Sequence, residues 1–135
     1  MGVATSLSTF PNFAVYFVTA IVLTAVFLVL YVNLTPHREI RLIRSGNTAA
    51  AIALIGVLLG FVMPLASVIG HSAVLLDVVV WGVVALAVQI GGFMVARIVL
   101  PHLPEAIERG SISDAIFLGG LSVSLGILDA ACMAG

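Results

Sequence analysis

Four long runs of apolar residues, at 13–32, 48–69, 78–96 and 115–134, are separated by short polar stretches. Each run reaches the roughly 20 residues that a helix needs to cross a hydrocarbon core about 30 Å thick. Backbone N–H and C=O groups cannot stay unpaired in lipid, so the pattern predicts four transmembrane helices. Two of the polar stretches are alike: Pro36-His37 and Pro101-His102 each open a segment that passes through a glycine, Gly46 or Gly110, into a long apolar run. Aligning the two prolines gives a period of about 65 residues. Ile52, Leu54 and Gly56 then fall, one residue closer, on Ile116, Leu118 and Gly120. The expected fold is an all-α membrane protein, a single transmembrane domain over residues 1–135. Its four helices form two duplicated helical hairpins in parallel repeat, one copy at 10–70 and the other at 75–135.

Composition removes the alternative of four helices buried in a water-soluble globule. A chain of 135 residues that is 62% hydrophobic and 8% charged, with a mean hydropathy of +1.31, has too few polar side chains to coat itself. It has five arginines, no lysine and a formal net charge of -1, so no face is basic enough to hold nucleic acid phosphates. Cys132 is the only cysteine, which rules out an intrachain disulfide and reads as a small packing residue.

The placement of charge orients the spans. All five arginines fall on two connections, Arg38, Arg41 and Arg44 on one and Arg97 and Arg109 around the other. Basic loops stay in the cytoplasm, so both termini and the turn at 70–76 are expected on the far side of the membrane. The first run lacks a basic n-region and exceeds a signal-peptide h-region, so it is expected to be retained as a span. Met1-Gly2 with Ser6 matches a myristoylation pattern, but on an end expected outside the cytoplasm. Phe10, Pro11, Phe13, Tyr16 and Trp81 stand where an aromatic belt anchors helix depth.

In the first connection, Ile40 and Ile43 alternate with Arg38, Arg41 and Arg44. That amphipathic turn can lie on the membrane with its guanidinium groups at lipid phosphates, or offer them to a cytoplasmic protein partner. Glu105, Glu108 and Arg109 in the second connection read as a solvated face. Ser113 and Asp114 sit where the fourth helix would be capped. Three spans carry stripes of small or polar residues at helical spacing: Ala49, Ala53, Gly56, Gly60, Pro64 and Ser67; Gly82, Ala85, Gln89, Gly92 and Ala96; Gly119, Ser122, Gly126 and Asp129. Close helix approach in lipid requires such residues, so these stripes should meet one another. The first span, with Phe17, Phe27, Leu28 and Leu30, is bulkier and is expected to face lipid or a neighbouring protomer.

Gln89 and Asp129 are costly in hydrocarbon and must point inward. Together with Ser122 and Ser67 they are candidates for a proton or ion path, or for a polar ligand site. The plainer reading makes Gln89 an interhelical clamp and lets Asp129 reach the wet interface. Pro64 frees the carbonyl of Gly60, which kinks the helix or helps to hold a cation. His71 and Asp77 flank the outer turn, but His71 has no second ligand at metal-binding spacing. His37 and His102 are repeat-equivalent and read as turn or helix-end residues. No phosphate-cradling loop, catalytic triad, paired metal motif or haem-ligating histidine pair is present, so neither an enzyme nor a cofactor is expected.

GNTAAAIALIGVLLGFVMPLASVI at 46–69, WGVVALAVQ at 81–89 and SVSLGILDAACM at 122–133 resemble the YjfL-like family of small bacterial inner-membrane proteins. The similarity covers nearly the whole chain, including Gly46-Asn47, Gly60, Pro64, Trp81 and Gln89. It implies a four-span inner-membrane protein and supplies no activity, the family being a domain of unknown function. Members often carry an amide where this chain has Asp129, which by resemblance weighs against a shared role for the carboxylate. The functional expectation is an oligomeric channel-like or transporter-like assembly for a small ion or solute, its pathway lying between protomers or between the repeats. The rival is a non-transporting scaffold that binds a cytoplasmic partner or anionic lipid through the arginine-rich loop. A redox or quinone-linked enzyme stands third.

Overall fold

The computed structural model describes residues 3–34, 39–71 and 74–134. Pro36, His37 and Arg38 lie outside the described residues, as do the side chains of Ser6, Phe10 and His71. Every regular element among the described residues is helical: α1 (Val3–Leu34), α2 (Glu39–Arg44), α3 (Thr48–His71), α4 (Leu75–Val99), α5 (Leu103–Glu108) and α6 (Ile112–Ala134). Four of them are long and apolar enough to cross a membrane, over Phe13–Leu34, Thr48–Gly70, Leu75–Val99 and Ile112–Met133.

Both arginine-bearing connections contain a short helix, α2 and α5, and both helices end in the same way. Gly46 (φ +93°) and Gly110 (φ +85°) take the left-handed conformation that lets a chain leave a helix without a Cβ clash. Gly46 N donates to Ile43 O at 3.0 Å and Asn47 N to Leu42 O at 2.9 Å. Gly110 N donates to Ile107 O at 3.0 Å and Ser111 N to Ala106 O at 2.9 Å. Each pair closes the orphan carbonyls of the short helix, and the next span starts one residue later.

The caps that follow differ. Asn47 Oδ1 accepts from Ala50 N at 3.0 Å, which satisfies a first-turn donor of α3. At α6 the expected cap is corrected. Because the glycine turn ends α5 abruptly, α6 begins at Ile112, so the capping position is Ser111, and Ser113 and Asp114 already lie in the first turn. Ser111 Oγ donates to Asp114 Oδ1 at 3.1 Å, placing the carboxylate at the positive end of the helix.

The stripes do meet. α3 packs against both α4 and α6, and α4 against α6, which buries Ala49, Ala53, Gly56, Gly60 and Pro64 with Gly82, Ala85, Gly92 and Ala96 and with Gly119 and Gly126. Along the α3–α6 seam the two backbones touch. A Cβ at Gly56 would run into the main chain of Gly119, and one at Gly126 into the main chain of Gly60. Gly92 and Gly82 are filled instead by leucine ends: Leu125 Cδ1 would lie 2.5 Å and Leu23 Cδ1 3.2 Å from their added Cβ atoms.

α1 is attached differently. Most of its described length is exposed, Phe17 and Leu30 included, but Phe27 and Tyr31 are buried, which corrects the lipid-facing expectation for Phe27. Leu23, Phe27 and Tyr31 recur every four residues and so form one face of α1. Phe27 stacks on Phe61 of α3 at 4.3 Å with ring planes 2° apart, and Tyr31 sets its ring edge-on to Phe93 of α4 at 5.8 Å and 79°.

Candidate functional site

α3, α4 and α6 bring one polar group each to a common layer in the middle of the apolar bundle. Gln89 on α4 is 1% exposed, and its Nε2 donates to the main-chain oxygen of Ser122 on α6 at 3.2 Å. Gly60 on α3 admits this contact, since a Cβ there would lie 2.7 Å from Gln89 Nε2 and collide with Ser122 O. Ser122 is likewise 1% exposed. Gln89 Oε1 and Ser122 Oγ, both enclosed, have no hydrogen-bond partner among the described residues.

Pro64 lies inside α3 and has no N–H, so the Gly60 carbonyl loses its helical donor. That oxygen is pressed against the backbone of Gly126. A Cα–H can approach a carbonyl closely in such a crossing, which makes the freed group part of the helix contact. Three of the residues singled out by sequence, Gln89, Ser122 and Gly60, thus form one site, with Pro64 and Gly126 shaping it.

Asp129 and Ser67 are not part of that layer. Asp129 follows Ser122 by two helical turns, about 10 Å along the axis. It is half-buried, and its Oδ2 is enclosed with no hydrogen-bond partner among the described residues. Ser67 Oγ donates to Ala130 O at 3.2 Å, a second polar tie across the α3–α6 seam nearer the C-terminal ends of the two helices. Asp77 and His102 are exposed. Among the described residues no group of three or more His, Cys, Asp or Glu side chains is gathered for a metal ion.

The end of the bundle that carries α2 and α5 holds the residues that sequence reasoning missed. Asn47 Nδ2 reaches across to α5, donating to Ile107 O at 3.0 Å and Glu108 O at 3.1 Å, so one side chain both caps α3 and clasps the second connection. The signal was present in the Gly46-Asn47 motif, but its partner is distant in sequence. Glu39 is 1% exposed. An acidic residue between arginines gives no sequence sign of burial. Arg41 and Arg44 point outward beside the half-exposed Ile40, and Glu105, Glu108 and Arg109 are solvated as expected.

Residues 5–133 match the family model described as Domain of Unknown Function (DUF350). The chain belongs to this family. DUF350 relatives include the UPF0719 inner membrane protein YjfL of Escherichia coli strain K12, 37% identical over 121 residues that cover 90% of this chain and 92% of the relative. YjfL of Escherichia coli O157:H7 matches to the same extent. No solved structure matches. With four apolar helices and an inner-membrane homologue across nearly its whole length, this DUF350 member is a multi-pass inner-membrane protein.

Proposed function

We propose that the protein handles a small ion or polar solute within the membrane, as an oligomer, at the layer formed by Gln89, Ser122 and the Gly60 carbonyl. The observation that carries this reading is a pair of orphaned oxygens, Gln89 Oε1 and Ser122 Oγ, enclosed in adjacent side chains of an apolar bundle. Leaving a buried polar group unsatisfied costs about 1–3 kcal/mol. Polar groups retained within the bilayer at such a cost mark ion and substrate pathways. An amide used only as a clamp would be expected to satisfy both of its ends.

In this conformation α3 and α6 touch, so a route through that seam is closed and the path runs beside it or between protomers. The exposed apolar length of α1 supports a neighbouring protomer or lipid there. The reading treats the protein as non-enzymatic and as two parallel copies of one hairpin, which the matching glycine turns after α2 and α5 support. Both termini lie away from the cytoplasm, in keeping with arginines confined to the α2 and α5 ends of the bundle.

The test is flux in liposomes reconstituted with the purified protein, using proton- and cation-sensitive dyes. Wild-type protein is expected to dissipate an imposed gradient, and Gln89→Leu to lose that flux while remaining folded. Wild-type liposomes no leakier than protein-free ones, or a Gln89→Leu variant with full flux, would overturn the reading. A second reading, a non-transporting scaffold that binds a cytoplasmic partner or anionic lipid, is favoured by one observation. Arg41 and Arg44 are both exposed beside a surface pocket of 370 Å³.

A further inference from the structure

The pocket beside Arg41 and Arg44 is lined by Val32, Asn33 and Ile40 as well as the two arginines. It does not stop there. Val32, Asn33 and Ile40 also line a second cavity of 350 Å³ whose remaining walls are Leu28, Val29 and Leu54. Three shared residues make the two cavities one cleft with a cationic part and an apolar part.

Depth in the membrane orders these parts. Leu28, Val29 and Val32 belong to the apolar span of α1, and Leu54 lies on the second turn of α3. Arg41 and Arg44 lie on α2, beyond the end of the span. From Leu28 to Asn33 the helical rise is about 7 Å, so the apolar wall reaches into hydrocarbon while the arginines stay at headgroup level. Arg41 and Arg44 are three residues apart on one helix and so share a face. Glu39, on the same helix, is buried in the bundle and does not lie in the cleft lining.

We propose that this cleft seats one anionic glycerophospholipid of the inner leaflet, its phosphate on Arg41 and Arg44 and the start of an acyl chain along Leu28, Val29 and Leu54. A planar guanidinium donates two parallel N–H bonds to a phosphate, and two of them on one face favour a net negative headgroup over a zwitterionic one. The apolar wall distinguishes a lipid from a free phosphate. The seat rests on the anionic-lipid part of the second reading, of which it specifies the ligand, and it does not depend on whether the protein also moves an ion.

Native mass spectrometry of the protein released from nanodiscs of equal phosphatidylglycerol and phosphatidylcholine tests it. Wild type should retain phosphatidylglycerol preferentially. Arg41→Gln with Arg44→Gln should lower that preference roughly tenfold or more, from the attraction each surface arginine contributes. Val29→Trp, at an exposed position that fills the apolar wall, should lower it too, while Arg97→Gln with Arg109→Gln should leave it intact. Loss in the Arg41 and Arg44 variant with full retention in Val29→Trp would overturn the seat but leave a general anionic attraction, and with it the second reading. No loss in the Arg41 and Arg44 variant would overturn the seat together with the anionic-lipid part of the second reading.

Discussion

The α3–α6 seam and the attachment of α1 solve the same packing problem with opposite materials. Half of the most apolar window of α3 is buried, against 6% of that of α1. The seam is built by removing side chains until main chain meets main chain at Gly56, Gly119, Gly60 and Gly126. α1 is held toward its C-terminal end by large rings, Phe27 on Phe61 and Tyr31 against Phe93. Lipid tails are as apolar as any side chain, so burying apolar surface drives helix association far less here than in water, and the energy must come from contact itself. Backbone contact is unforgiving, because nothing in it can move aside. Ring contacts are strong but local, and they leave the remainder of α1 to the lipid.

The largest break in this contrast is expected from Gly126→Leu. Its side chain has only the backbone of Gly60 to displace, so the seam must part at a cost of about 3 kcal/mol or more. Equilibrium unfolding in mixed micelles should show little folded protein. Next comes Asn47→Ala, which removes the α3 cap and both bonds to α5. About 2 kcal/mol should be lost, with faster hydrogen exchange at both connections as the readout. Phe27→Ala should release α1 while leaving the seam whole. With no transfer from water to lose, the effect is set by ring contacts at about 1 kcal/mol, and protease nicking of α1 should rise while α3–α6 crosslinks between engineered cysteines persist. The smallest effect belongs to Gly120→Ala. Gly120 adjoins Gly119 but faces open space, so stability should change by less than about 0.5 kcal/mol. A large effect there would mean that the lipid-facing side of the seam is covered in the assembled protein.

The spans and stripes were legible because lipid imposes them directly: length sets the span, and only small residues permit close approach. The pairing of Gln89 with Ser122 follows from the same rule, since both fall on those stripes. Less visible were features made by contact between distant segments. Ile107 and Leu103 lie in a polar-looking connection, yet both are fully buried because α5 folds back under the bundle. Asn47 stands in the sequence only as half of the Gly46-Asn47 motif, and its bonds to α5 join segments some 60 residues apart. Tyr31 and Phe27 look like bulk for lipid, and only the position of Phe61 and Phe93 turns them inward. Position along the spans already sets Gln89 near the middle of its helix and Asp129 about a quarter of the way in from a helix end, and the two occupy layers about two helical turns apart.

The order in which the chain is made gives the seam one more consequence. Ser67 and Ala130, bonded across it, stand 63 residues apart, and α4 and α5 are synthesised between them. During insertion α3 therefore enters the bilayer with its glycine face and the Gly60 carbonyl bare, and both stay bare until α6 arrives. The nascent protein passes through a three-span stage in which the most closely fitted surface has no counterpart.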